Sequence, residues 1–322
     1  MAGSATSAGS RGRSKLGESL YAYGFIGPAI AAMVIASFIP IVFTVFVAFT
    51  TWDGYHNALV QGFHPAGFAN FKEILDGLRG EVLGVVIWTL VFASLSTLFN
   101  FSVGLLLAFL LNNPNMPERN FYRTVLILPW AVPGSIMILA WAGLLNTDYG
   151  PINILLGGIH WGFFNPGHID WLTDPNWARF AVVMVNLWFG FPFMMTACLG
   201  ALQAIPTDLG EAAQVDGAGV WKRFIKITLP LLRSATLPLV ISTFAYNLNN
   251  FGAVYLLTSG GPTGIGQQAG ATDILPTYTY SLAFVLNRYG LACAYAIVIF
   301  MFIGTLSAIN MKYSRAFEGI DR

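Results

Sequence analysis

Asn247, Asn249 and Asn250 place three amides within four residues, flanked by Tyr246 and Phe251 and with Thr243 one turn earlier. A second polar run places Asn186, Gly190 and Phe193 at i, i+4 and i+7, spacings that share one face of a helix, with Trp188 and Phe189 beside them. Both runs lie in long stretches without charge. An amide in an apolar helix must find hydrogen-bond partners or bear the cost of desolvation. One reading is bonding from helix to helix, which is common in membrane bundles. The other is a ligand site. Amides hydrogen-bond hydroxyl groups and aromatic rings stack on the apolar faces of pyranoses, so the pattern suits a neutral, sugar-like molecule. The residues leave both readings open, although the density of amides exceeds what helix contacts need.

Covalent chemistry finds no support. The phosphate loop G-x-x-x-x-G-K-[ST] is absent, and so is His-Glu-x-x-His. The four histidines, His56, His64, His160 and His168, all fall in predicted external loops. No predicted span carries an ionisable residue near its centre, which argues against ion-coupled pathways. Cys198 and Cys293 lie singly inside predicted spans and suit core packing better than a disulfide or a metal site. No catalytic residue, metal site or cofactor is expected on this chain.

These side chains must be positioned by membrane helices. Of the 322 residues 56% are hydrophobic and only 10% charged, against about 25% charged in soluble domains. The net charge of +1 gives no argument for nucleic acid. Six uncharged windows are long enough to span: Ser19–Trp52, Val82–Pro117, Thr124–Thr147, Ala181–Thr207, Ser234–Thr272 and Tyr289–Met311. A spanning helix needs roughly 20 apolar residues. The windows Tyr149–Ile169 and Ile274–Asn287 read as external loop structure. Within the first external loop, from about Asp53 to Glu81, the run Gly67-Phe68-Ala69-Asn70-Phe71 suits a short amphipathic helix. Arg11, Arg13, Lys15, Arg119, Arg123, Lys222, Arg223, Lys226, Arg233, Lys312, Arg315 and Arg322 fall on one side of the spans. Only Lys72, Arg79, Arg179 and Arg288 fall on the other. The positive-inside rule then places both termini in the cytoplasm. Residues 1–15 read as a disordered tail, and 16–322 as a single all-α transmembrane domain. Pro129, Pro133, Pro192 and Pro238 lie within or at the ends of spans, as tolerated kinks or as kinks that open a cavity.

Between predicted spans four and five lies a polar, basic segment, residues 207–230. Pro206 ends the fourth span, and Thr207 or Asp208 is placed to cap a new helix. Glu211 falls in its first turn, where the helix dipole favours a carboxylate. Gly217 suits a turn or close approach between two short helices. Trp221, Phe224 and Ile225 are expected to face the membrane or span five, and Lys222, Arg223 and Lys226 the headgroups or cytosol. This is an interfacial connector or a docking helix for a cytoplasmic partner.

The pattern Glu211-Ala212-Ala213-x3-Gly217-x9-Ile227-x-Leu229-Pro230 resembles, at each fixed position, the signature of permease subunits of binding-protein-dependent ABC importers. Further stretches are similar to the maltose/maltodextrin-type permeases of the carbohydrate importers: Leu128–Pro133, Val185–Gly190, Asn247–Phe251 and Gly270–Leu275. The similarity covers most of the chain after about Tyr21. The resemblance implies a type I importer fold of six spans in the inner membrane of a prokaryotic cell. It implies a second permease subunit, two ATPase subunits carrying ATP and magnesium, and an extracytoplasmic sugar-binding protein. The substrate would be an oligosaccharide. Glu211, Ala212, Ala213, Asp216 and Gly217 would form the contact with the ATPase. The sugar site would fall on Trp130, Asn186, Phe189, Gly190, Phe193, Thr243, Tyr246, Asn247 and Asn250. The family's best-known member has extra N-terminal spans, a large domain in an external loop, and tyrosine where this chain has Phe193. The expected first external loop is too short for such a domain. Alternatives from the residues are an ion-coupled secondary sugar transporter and a structural membrane subunit without transport.

Overall fold

The computed structural model describes residues 23–54, 62–113, 115–157 and 169–313. The tail 1–15, with Arg11, Arg13 and Lys15, lies outside the described residues, as do His56, His160, His168, Arg315 and Arg322. The described residues form helices and no strand; their only extended pairing is two isolated bridges, Thr50 with Pro65 and Thr263 with Gly270.

Among the described residues, five helices are long and apolar enough to cross a membrane: α1 (Tyr23–Ala48), α3 (Glu81–Leu111), α7 (Pro175–Gln203), α9 (Val220–Leu248) and α12 (Tyr289–Tyr313). Shorter helices fill the intervals: α2 (Ala69–Gly77), α4 (Arg119–Ala131), α5 (Gly134–Leu144), α6 (Pro151–Gly157), α8 (Thr207–Val215), α10 (Phe251–Thr258) and α11 (Leu275–Phe284). The pair α4 and α5 brings the spans to six if counted as one, but it bends by 91° at its break. Val132 is extended there, with φ −94° and ψ 143°, as a residue before proline tends to be. The window Thr124–Thr147 thus holds a broken helix pair rather than one continuous helix. Pro192 and Pro238 stay inside α7 and α9, and Pro129 inside α4.

Helix α7 explains its own start. Asp174 caps α7, accepting from Asn176 N at 2.9 Å and Trp177 N at 3.0 Å, with Pro175 in the first turn. Helix α3, of 31 residues, has one charged residue, Glu81, in its first turn, where a carboxylate is favoured. It crosses α7 at very short range. A Cβ on Gly104 would lie 2.7 Å from both Met194 Cβ and Met195 N. Small residues let backbones approach closely in membranes, where packing rather than the hydrophobic effect holds helices together. Ala108, Leu111, Met195, Cys198, Leu199 and Leu202 continue the contact as buried neighbours.

The remaining elements lean on this pair. Phe92, Val182, Val185, Ile138, Val254 and Leu257 form a core joining α3, α5, α7 and α10. Ala48, Ile74, Val85, Leu282, Leu291 and Tyr295 form another, joining α1, α2, α3, α11 and α12. The expected amphipathic helix is α2. Asn70 Nδ2 donates to the carbonyls of Ala48 and Thr50 at 2.8 and 2.9 Å, closing the end of α1. The window Ile274–Asn287 is not a plain loop. It forms α11, whose Tyr278 and Leu282 are buried. Thr272 is fully buried as well; its carbonyl accepts from Trp88 Nε1 at 3.1 Å. Asp273 accepts from Gly270 N at 2.8 Å and Thr277 Oγ1 at 2.7 Å, and burial pushes its carboxyl up despite these bonds.

Leucine at Gly104 is expected to lower the thermal midpoint of the detergent-solubilised protein. Overpacking a close contact costs roughly 1–3 kcal/mol. An unchanged midpoint would contradict the short α3–α7 crossing.

Candidate functional site

A cavity of about 670 Å³ opens among α4, α5, α7, α9 and α10, within the range of small-molecule sites. Trp130, Asn186, Phe189, Gly190, Phe193, Thr243, Tyr246, Asn247 and Asn250 all line it. The residues thus converge from stretches more than a hundred positions apart. The two helix breaks make the convergence possible. The bend at Pro133 brings Trp130 on α4 and Gly134 and Ser135 on α5 to one wall. The second break, after Leu248, corrects the expectation that the asparagines belong to one continuous span. Asn249 ends α9, and Asn250 caps α10 by accepting from Ala253 N at 3.4 Å. Asn249 is exposed and does not line the cavity. Phe251 also turns away, stacking on Tyr255 at 4.8 Å between ring centroids.

The amides bond to one another. Asn250 Nδ2 donates to Asn186 Oδ1 at 2.8 Å, and Asn186 Nδ2 to Asn247 Oδ1 at 3.1 Å. Asn247 Nδ2 then donates to Thr97 Oγ1 on α3 at 3.1 Å. Asn186, Asn247 and Thr97 are buried. The chain ties α3, α7 and α9 together, so helix-to-helix bonding is present at the cavity wall itself. Each amide keeps a second N–H or lone pair, which leaves capacity for a ligand. The aromatic side is more open: Trp130 and Tyr246 are exposed, and Trp130 meets Phe193 at 6.1 Å between centroids.

Sequence reasoning missed Asn100, Ser135 and Ser242, which also line the cavity. Asn100 is the only amide in the apolar run Val82–Leu111, and that isolation was the available signal. Gly190 has a second reason to be glycine: a Cβ there would fall on the Asn100 amide.

The segment 207–230 is also partly corrected. Helix α8 starts after Pro206 with no side-chain cap, and none of its residues is buried. Gly217 ends it at φ +75°. Ala218 N donates to the Ala213 carbonyl at 2.9 Å and Gly217 N to that of Gln214 at 3.0 Å, the pairing of a left-handed glycine cap. The second short helix does not exist as such. From Val220 the chain runs through a π turn at Phe224–Thr228 directly into the span. Trp221, Phe224 and Ile225 therefore belong to span five rather than facing it. Phe224 packs on Phe109 of α3 at 5.5 Å. Arg223 Nη1 donates to the Gly210 carbonyl at 3.3 Å and Gln214 Oε1 at 3.1 Å, pinning α8 to the start of α9. Glu211, Ala212, Asp216 and Gly217 are exposed, and Ala213 is half-buried.

A cavity walled by aromatic rings and a few amides inside a bundle of membrane-length helices, with an exposed helix on one connecting loop, is the architecture of a membrane permease. The chain belongs to the family described as binding-protein-dependent transport system inner membrane component, matched over residues 100–314. It is 36% identical over 302 residues to the galactooligosaccharides transport system permease protein GanP of Bacillus subtilis, covering 92% of this chain and 71% of GanP. It is 42% identical over 273 residues to the maltose/maltodextrin transport system permease protein MalF of Photorhabdus laumondii, covering 82% of this chain. The chain spans about half the length of that relative, 51%. Its fold matches a chain of a bacterial ABC transporter involved in the import of the acidic polysaccharide alginate, with a TM-score of 0.71 and 24% identity. That likeness covers 95% of this chain and 98% of the other.

Replacing Asn247 with leucine is expected to destabilise the protein by about 1–3 kcal/mol, because Asn186 and Thr97 are left without their buried partner. Thermal unfolding of the solubilised protein checks this. A midpoint equal to the parent's would show that the amide chain carries no stability.

Proposed function

We propose that this chain is the permease subunit of an ATP-driven, binding-protein-dependent importer of an oligosaccharide of the maltose/maltodextrin class. It would lie in the prokaryotic inner membrane with six spans, α4 and α5 counting as one, and with both termini in the cytoplasm. The basic residues Arg119, Arg123, Lys222, Arg223, Lys226 and Arg233 support this orientation, since they lie in the first two turns of α4 and the first half of α9, next to the α3–α4 turn and α8. The observation that carries the reading is the cavity: all nine residues expected to hold sugar line one space of about 670 Å³. Its chemistry, amides opposite exposed aromatic rings, suits pyranose hydroxyls and pyranose faces respectively. The relatives named for maltose/maltodextrin and galactooligosaccharides support the same substrate class.

The chain performs no covalent step in this reading. ATP and magnesium are bound by two ATPase subunits, one of which receives α8. A second permease subunit closes the path, membrane lipid surrounds both, and an external binding protein delivers the sugar. Closure of the ATPases moves α8, and Arg223 passes that motion to α9, which carries Thr243, Tyr246 and Asn247 on its far end. The site must hold sugar better in one state than in the other for transport to be driven.

Charge reversal, Glu211→Lys, is expected to abolish sugar-stimulated ATP hydrolysis in the reconstituted complex. Normal coupled hydrolysis would remove the docking role of α8. Asn250→Leu is expected to abolish uptake while the complex still co-purifies. If the complex instead falls apart, the Asn250–Asn186 bond serves assembly rather than the sugar.

A further inference from the structure

Four asparagines line the cavity: Asn100, Asn186, Asn247 and Asn250. Three of them are already engaged with one another or with Thr97 and the Ala253 N–H. Asn100 differs. Its side chain is 3% exposed, and its Oδ1 has no hydrogen-bond partner among the described residues. Buried amide oxygens are rarely left in this state, and each exception asks for an explanation. The amide is also held in place. It lies against the backbone of Gly190, in the space a Cβ would occupy, one turn from Asn186 on the same face of α7. A polar group fixed at a cavity wall, with an unused acceptor, is organised in advance for a donor that arrives from outside.

We infer that Asn100 is a further ligand-contacting residue, whose Oδ1 accepts a hydrogen bond from a hydroxyl of the transported sugar. This rests on the oligosaccharide reading of the cavity and deepens it. The bonded amides of Asn186, Asn247 and Asn250 offer only their second valences, whereas Asn100 offers a free one without breaking the tie between helices. Asn100 therefore helps set which hydroxyl pattern passes, and the amide chain sets the shape of the wall. The competing role is structural: Ser96 Oγ, one turn away on α3, is also buried without a partner, and a water bridging the two would satisfy both.

The test uses the full complex in proteoliposomes, with maltose and the set of singly deoxygenated maltoses as probes. Uptake is measured at saturating sugar-loaded binding protein, so that the selectivity of the binding protein drops out. Asn100→Leu is expected to slow maltose uptake roughly 10-fold, the scale of one lost hydrogen bond. One deoxygenated analogue, already slow with the parent chain, should lose nothing further. Equal slowing for every sugar, as a structural water would give, overturns the inference, and so does no slowing at all. Asn100→Ala, which leaves room instead of filling it, is held to the same outcomes if the leucine chain does not assemble. A parent complex that takes up none of these sugars overturns the maltose-class reading itself, a result separable from any effect of the variants.

Discussion

Everything in this protein hangs on the close crossing of α3 and α7. Lipid is as apolar as leucine, so two membrane helices gain little by hiding apolar surface from it. What remains is tight packing and hydrogen bonding. Gly104 supplies the first by letting the backbone of α7 approach at Met194 and Met195. Thr97, Asn186 and Asn247 supply the second by linking α3 to α7 and α9. Gly190 joins the two, since its missing Cβ admits the Asn100 amide. The short helices α5 and α10 then pack on the same pair through Ile138, Ala253, Val254 and Leu257.

The cavity forms where helices fail. Irregular backbone at membrane depth is tolerated only where protein or a water-lined space can satisfy it. Both breaks, at Val132–Pro133 and at Asn249–Asn250, border the cavity. At the second, Asn250 answers for the exposed N–H groups at the start of α10 and also bonds Asn186. One side chain thus repairs the backbone, joins two helices and lines the cavity. Such overlap explains why a helix-binding role and a ligand role need not exclude each other for these amides. In the proposed cycle it also gives a route for motion. Helix α9 runs for 29 residues, about 43 Å at 1.5 Å per residue, from the Arg223 pin on α8 to the amides at the cavity.

Much of this was legible beforehand. The uncharged windows marked the spans because desolvating charge forbids it there, and the Glu211–Pro230 spacing marked the exposed helix. Asn186, Asn247 and Asn250 stood out because amides are costly in apolar helices. Other features were not legible. The separate second helix after Gly217 proved to be the start of α9, because nothing local distinguishes an amphipathic connector from the polar end of a span. The window Ile274–Asn287 was too short to read as a spanning helix, yet Leu282 and Tyr278 bury it as α11. Asn100 was passed over because a single amide among apolar residues carries no periodic signal.

Residue type and local spacing settled which long segments are apolar, that Gly217 suits a turn, and which side chains carry hydrogen-bonding power. These follow from short-range sterics and solvation, which depend on each residue and its near neighbours. The chain's folding in three dimensions settled whether Pro133 bends a helix or breaks it, which amides bond each other, and which amide is left free. Those outcomes depend on distances between residues far apart in the chain, such as Thr97 and Asn247 or Asn100 and Gly190, and such distances are fixed only when the helices pack.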